Sequence, residues 1–150
     1  MQSFAHFTPT PQKIVAQKPK TISSKEEFEV IKTHCMQGAN MRRLENFEDE
    51  PLLQTAYDIA RWHHERWDGR GYPDGLKGND IPISAQIVSL ADVYDALTSE
   101  RCYKEAFSHE TAMRMILNGE CGAFNPLLLE CLTDIQAELQ KKLQNITVNR

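Results

Sequence analysis

Two adjacent histidines, His63 and His64, stand directly before a loop holding four of the chain's seven glycines. The run is Trp-His-His-Glu-Arg-Trp-Asp-Gly-Arg-Gly-Tyr-Pro-Asp-Gly-Leu-Lys-Gly over residues 62–78. Neighbouring helical positions diverge by about 100°, so two adjacent imidazoles can approach one polar centre from different directions, and a metal ion is the obvious such centre. A hydrogen-bonded core pair is the plain alternative, and spacing alone does not choose between them. Gly69, Gly71, Gly75 and Gly78 offer positive-φ positions and backbone N–H groups beside the histidines, which suits a phosphate-bearing ligand. A tight surface loop would explain the glycines but not the histidines before them.

Other residues of the same chemical kind lie further off. His34 follows Phe28 and Ile31 at helical spacing, which aims a third imidazole inward. Asp92 sits in an otherwise apolar helical stretch, where a carboxylate is costly unless it is hydrogen-bonded, paired or bound to a cation. Arg101 and Lys104 follow that stretch, where they either neutralise a helix C-terminus or grip phosphate oxygens, Arg101 by its planar fork and Lys104 as a point charge.

The elements that must position these groups are helical throughout. Residues 1–22 carry Pro9, Pro11 and Pro19 with little periodicity, which predicts an irregular leader, and the domain is expected over 23–150. Ser24-Lys25-Glu26-Glu27 reads as a capping box opening a helix with Phe28 and Ile31 inward. A weakly marked helical segment is expected over 36–46. Pro51 then opens a helix whose Leu52, Leu53, Ala56, Tyr57 and Ala60 form a stripe ending on His63 and His64. Pro82 opens a helix that is apolar nearly all round, with Ile83, Ile87, Leu90, Ala91, Tyr94 and Leu97 on its main stripe, and so is expected to be central. Ser108 caps a helix that Gly119 stops, and Asn125-Pro126 starts a last helix with Leu128, Leu132, Ile135, Leu139 and Leu143 on one face, suited to core or to a homodimer seam.

Composition narrows the field. A chain of 150 residues holds one domain, and a net charge of −4 leaves no basic footprint for a nucleic-acid polymer. No apolar run approaches the roughly 20 residues of a membrane span, and the first residues lack the order of a secretory signal. Cys35, Cys102, Cys121 and Cys131 form no C-x-x-C pair, so a cytoplasmic protein with reduced thiols is expected.

The 62–78 run resembles the signature of the HD-GYP family, a branch of the HD-domain metal-dependent phosphohydrolases. The resemblance extends to Glu26-Glu27-Phe28-Glu29-Val30-Ile31-Lys32-Thr33-His34, to Leu90-Ala91-Asp92-Val93-Tyr94-Asp95-Ala96-Leu97-Thr98-Ser99 and to Arg101-Cys102-Tyr103-Lys104. It implies an all-α, HD-domain-like helical bundle that hydrolyses cyclic di-GMP with bound iron or manganese. It also implies His34, His63, His64 and Asp92 as metal ligands, and Arg101, Lys104, Gly71 and Tyr72 as substrate-binding residues. Signalling partners of the diguanylate cyclase or receiver type come with it.

The family's His-Asp dyad would fall near Ser3 to His6, and no His-Asp pair occurs there. The family's first helix or helices are therefore expected to be lacking. In the family that aspartate bridges two metals, and without it two cations lose the anion that offsets their repulsion. One ion rather than two or three is expected, with turnover impaired. The alternatives are a non-catalytic module that binds cyclic di-GMP or a protein partner, and an HD-type phosphohydrolase for another nucleotide.

Overall fold

The computed structural model describes residues 25–40, 50–100 and 105–148. Among the described residues there are five α-helices and no strand: α1 (Lys25–Ala39), α2 (Pro51–Trp62), α3 (Ile83–Thr98), α4 (His109–Leu117) and α5 (Pro126–Val148), with one 3-10 turn, Gly78–Asp80, ahead of α3. The all-α expectation holds. The leader and the basic pair Arg101 and Lys104 lie outside the described residues.

Local chemistry sets most helix ends. Proline occupies the first turn of α2, where its missing N–H costs nothing, and Pro82 immediately precedes α3. Ser108 caps α4 by accepting the Thr111 N–H at 3.2 Å, and Gly119, at φ +73°, follows its end. The Asn125 side-chain oxygen accepts the Leu127 N–H at 3.0 Å as α5 begins. In the expected 36–46 segment, Met36 to Ala39 prove to be the end of α1, and 41–49 lie outside the described residues.

Helix α3 is central in packing, touching both α2 and α4. Its Leu90 and Leu97 join Ala112, Met113 and Ile116 of α4, Phe124, and Leu132 of α5 in one core cluster. Ile116 is fully enclosed, so truncating it to alanine would cost about 2–5 kcal/mol. His109 is buried here too, bonded through Nδ1 to the Tyr94 hydroxyl at 2.9 Å.

Three expected inward faces are rotated. Phe28 and Ile31 are 42% and 38% exposed, because α1 meets its neighbour along Cys35 and Ala39 instead, which are 0% and 6% exposed. Leu52 is exposed while Leu53, Ala56, Tyr57 and Ala60 are half-buried. On α3, Ile83 and Ile87 are exposed, and the buried face runs through Ala85, Gln86, Ser89, Leu90 and Leu97. Polar residues can enter that face because they are bonded: the Gln86 amide donates to the Ile81 carbonyl at 2.7 Å and accepts from Asn125 at 2.9 Å. Ile87 instead lines an apolar groove between α3 and α5 with Leu128, Leu132, Ile135 and Leu139. None of the described helices is long and apolar enough to cross a membrane.

Candidate metal centre

The site is set by how closely α1 and α2 cross. A Cβ added to Gly38 would stand 3.0 Å from the Ala60 Cβ, so the glycine permits an approach that a larger residue would block. Arg61 ties the same pair of helices by donating to the Met36 sulfur at 3.0 Å. One turn before Gly38 on α1 lies His34, and just beyond Ala60 the chain leaves α2 through His63 and His64. The histidine pair thus falls in the turn after the helix, with His63 as its C-cap.

His34 Nε2 and His63 Nε2 are 3.2 Å apart, across 29 residues of sequence. Each ring's other nitrogen faces a backbone carbonyl: His34 Nδ1 lies 2.6 Å from Ile31 O, and His63 Nδ1 lies 2.8 Å from Ile59 O. A carbonyl only accepts, so both Nδ1 atoms carry a hydrogen and the two Nε2 atoms face each other. At that distance the two Nε2 atoms need a shared proton or a metal ion between them. A carbonyl-anchored Nδ1–H is also the arrangement that orients a metal-ligating histidine.

His64 completes the group. Its ring centroid is 4.1 Å from that of His63 and 5.0 Å from that of His34. Burial first, and then the charges of His63, His34 and Arg66, push its pKa down from 6.5 to about 4, so at neutral pH it is an uncharged donor. The donor set fits a first-row divalent ion. His34 is exposed and the other two are half-buried, so the centre opens to solvent rather than sitting in the core as the α1 spacing predicts.

Sequence reasoning passed over three residues of this site. Cys35 is fully buried, and its thiol belongs to the same cluster: ligand atoms of His34, Cys35, His63 and His64 all lie within 4.8 Å of one another. The argument that pairs His63 with His64 as helix neighbours applies equally to His34 and Cys35. Glu65 is 2% exposed; its Oε1 accepts the N–H groups of Asp74 and Gly75 at 2.7 and 3.0 Å, while its Oε2 has no hydrogen-bond partner among the described residues. Arg66 donates to Ser89 Oγ at 2.6 Å and lies over the Phe124 ring at 5.4 Å, and burial lowers its pKa. No sequence signal marks Glu65 as buried or Arg66 as half-buried, since these types are almost always exposed.

The glycine loop has the expected positive-φ residues at Gly69, Gly75 and Gly78, but Gly71, expected with them, is not one. Six of the loop's N–H groups, however, are spent inside the protein. Gly69, Tyr72 and Gly78 donate to the carbonyls of Arg66, His64 and Trp67, Arg70 donates to Asp68, and Asp74 and Gly75 hold Glu65. The loop is fastened as well by Asp74, which accepts Arg61 at 2.8 and 2.9 Å and the Trp62 indole at 2.7 Å; Arg61 holds that carboxyl below the usual carboxylate range. Gly71 packs directly on the histidine turn, where a Cβ would collide with Glu65 Cα and Arg66 N and fall 2.5 Å from His64 O.

Tyr72 stacks on His64 with centroids 4.8 Å apart and 27° between planes, and meets Phe28 edge-on at 5.8 Å. Asp92 is exposed on α3. Its charge opposes the burial that lowers the Arg66 pKa and adds to the burial that raises the Tyr72 pKa, which puts it within electrostatic reach of the opening, but its carboxylate is not part of the four-residue cluster.

Residues 6–123 match the family model described as HD domain. The chain is 42% identical over 113 residues to a cyclic di-GMP phosphodiesterase of Vibrio cholerae, covering 74% of this chain and 23% of that protein. Against a cyclic di-GMP phosphodiesterase of Thermotoga maritima it is 41% identical over 118 residues, 79% of this chain and 31% of the relative. A 3'3'-cGAMP-specific phosphodiesterase of V. cholerae is 36% identical over 120 residues, 80% of this chain and 22% of its own length. The chain thus spans between 22% and 31% of the length of these relatives. A crystal structure of a V. cholerae cyclic GMP-AMP phosphodiesterase shares the fold at a TM-score of 0.57 and 23% identity, over 82% of this chain and 30% of the other.

Proposed function

The chain belongs to the HD domain family and is homologous to HD-GYP cyclic di-GMP phosphodiesterases, and from that premise we propose that it is a metal-dependent phosphodiesterase acting on cyclic di-GMP in bacterial signalling. The observation that carries the reading is the pair of facing Nε2 atoms on His34 and His63, 3.2 Å apart with both Nδ1 atoms turned to carbonyls, in a cluster with His64. In this reading His34, His63 and His64 hold one divalent ion, iron or manganese, and Asp92 supplies a carboxylate from α3. When bound, the ion supplies Lewis acidity towards a phosphodiester oxygen and lowers the pKa of a water.

The chain's own residues bind and orient the ester. Tyr72, half-buried and stacked on His64, adds an aromatic ring for a base, Gly71 lets the loop pack on the histidine turn, and Arg101 and Lys104 grip phosphate oxygens. Among the described residues the ligand cluster itself holds no carboxylate, so in this reading Asp92 alone would offset the charge of a second cation. That same observation favours a second reading, a non-catalytic module that binds the dinucleotide or docks on a signalling protein.

The test is incubation of the purified chain with Mn²⁺, or anaerobically with Fe²⁺, and cyclic di-GMP or 3'3'-cGAMP. Slow formation of linear dinucleotide that is lost in His63→Ala supports the enzyme. Calorimetric binding without cleavage supports the module. A protein that retains no metal and gives neither product nor heat refutes both.

A further inference from the structure

Cys35 is 0% exposed and sits at the floor of the histidine cluster. Its Sγ lies 3.5 Å from His34 Nε2, and that nitrogen lies 3.2 Å from His63 Nε2. A tetrahedral ion with bonds of about 2.05 Å to nitrogen and about 2.3 Å to sulfur separates two nitrogens by about 3.3 Å, and a nitrogen from a sulfur by about 3.6 Å. The His34–His63 and His34–Cys35 pairs stand at these spacings, and all four ligand atoms lie within 4.8 Å of one another. The carboxylate in the resemblance-derived ligand set, Asp92, lies outside the cluster, whereas a sulfur lies within it.

We propose that Cys35 Sγ is the fourth protein ligand, so that His34, Cys35, His63 and His64 form a three-imidazole, one-thiolate site that selects Zn²⁺ over Mn²⁺ and Fe²⁺. The inference rests on the reading of the histidines as a metal centre and changes which metal that centre holds. Binding breaks the Cys35 S–H bond, forms the metal–sulfur bond and delivers the proton to solvent. Thiolate and imidazole donors rank Zn²⁺ well above Mn²⁺ and Fe²⁺, while Mn²⁺ finds better partners in carboxylate and water.

The test uses the full chain, stripped of metal and titrated with Co²⁺ as a spectroscopic stand-in for Zn²⁺. A second protein carries Cys102→Ser, Cys121→Ser and Cys131→Ser, so that Cys35 is its only thiol. Both proteins are expected to show tetrahedral visible bands together with an intense near-ultraviolet thiolate-to-cobalt charge-transfer band, and Zn²⁺, but not equimolar Mn²⁺, should abolish both. Cys35→Ser should keep weaker visible bands and lose the charge-transfer band. Visible bands without charge transfer in the protein whose only thiol is Cys35 would overturn the proposal and leave the histidine centre standing. Absence of any cobalt spectrum in the wild-type chain would overturn both.

Discussion

Replacing Gly71 by alanine should damage the metal centre more than any other single methyl group added to the loop. The new Cβ would fall 2.5 Å from the His64 carbonyl oxygen, where ordinary contact begins at 3.4 Å, and would also collide with Glu65 Cα and Arg66 N. All three are backbone atoms, so no rotamer change relieves the clash and the chain must separate by about 0.9 Å. That separation strains the Tyr72 N–H bond to His64 O and the two N–H bonds to buried Glu65. Overpacking costs about 1–3 kcal/mol, and disturbing bonds to a buried carboxylate adds to this, so a loss of about 2–4 kcal/mol is expected. For a domain of this size it corresponds to a drop of roughly 5–15 °C in Tm. Metal ligation tolerates only about ±0.2 Å in ligand distance, so displaced His64 should weaken Co²⁺ binding as well. Gly78 is the control: its φ is +57° but nothing lies within 4 Å of an added Cβ, so Gly78→Ala should cost only about 1 kcal/mol of backbone strain. Thermal melts and cobalt titrations of both variants decide. If Gly71→Ala melts with the wild type and binds cobalt equally well, the account of the loop as a spacer for the histidine turn is wrong.

Other consequences can be measured alongside. In metal-free protein, His64 has a pKa lowered from 6.5 to about 4, so the unfolded chain takes up the proton first and stability, intact above pH 6.5, falls as pH drops towards 4. Urea midpoints at pH 7 and pH 5 should show that decline, and His64→Gln should flatten it. Asp74→Asn should remove about 1 kcal/mol at neutral pH by weakening the Arg61 pair. Because Arg61 depresses that carboxyl, its contribution is present above the unfolded carboxylate pKa and lost as pH falls through the folded value, so acid melts of Asp74→Asn and wild type should converge. Gly38→Leu should force α1 away from Ala60 and weaken cobalt binding by at least about tenfold, by analogy with losses of supporting contacts, while circular dichroism still reports helix.

Local sequence chemistry by itself determined the helix starts at Pro51, after Pro82, at Ser108 and at Asn125-Pro126, the stop at Gly119 and the positive-φ loop after His63 and His64, because caps, fixed φ and glycine freedom act within a few residues. The resemblance carried by residues 62–78 fixed the family. Only the tertiary structure decided which helix faces are buried. Periodicity defines a stripe without naming its partner, so Phe28, Ile31 and Ile87 end up exposed while Cys35 and Gln86 are enclosed. It likewise took the crossing of α1 and α2 at Gly38 and Ala60 to bring His34 and Cys35 against a histidine pair 29 residues away, and the folding back of the loop to bury the Glu65 carboxylate beneath it. Those contacts join segments distant in sequence, and their geometry depends on side-chain volumes on both sides at once, which no spacing within a single helix records.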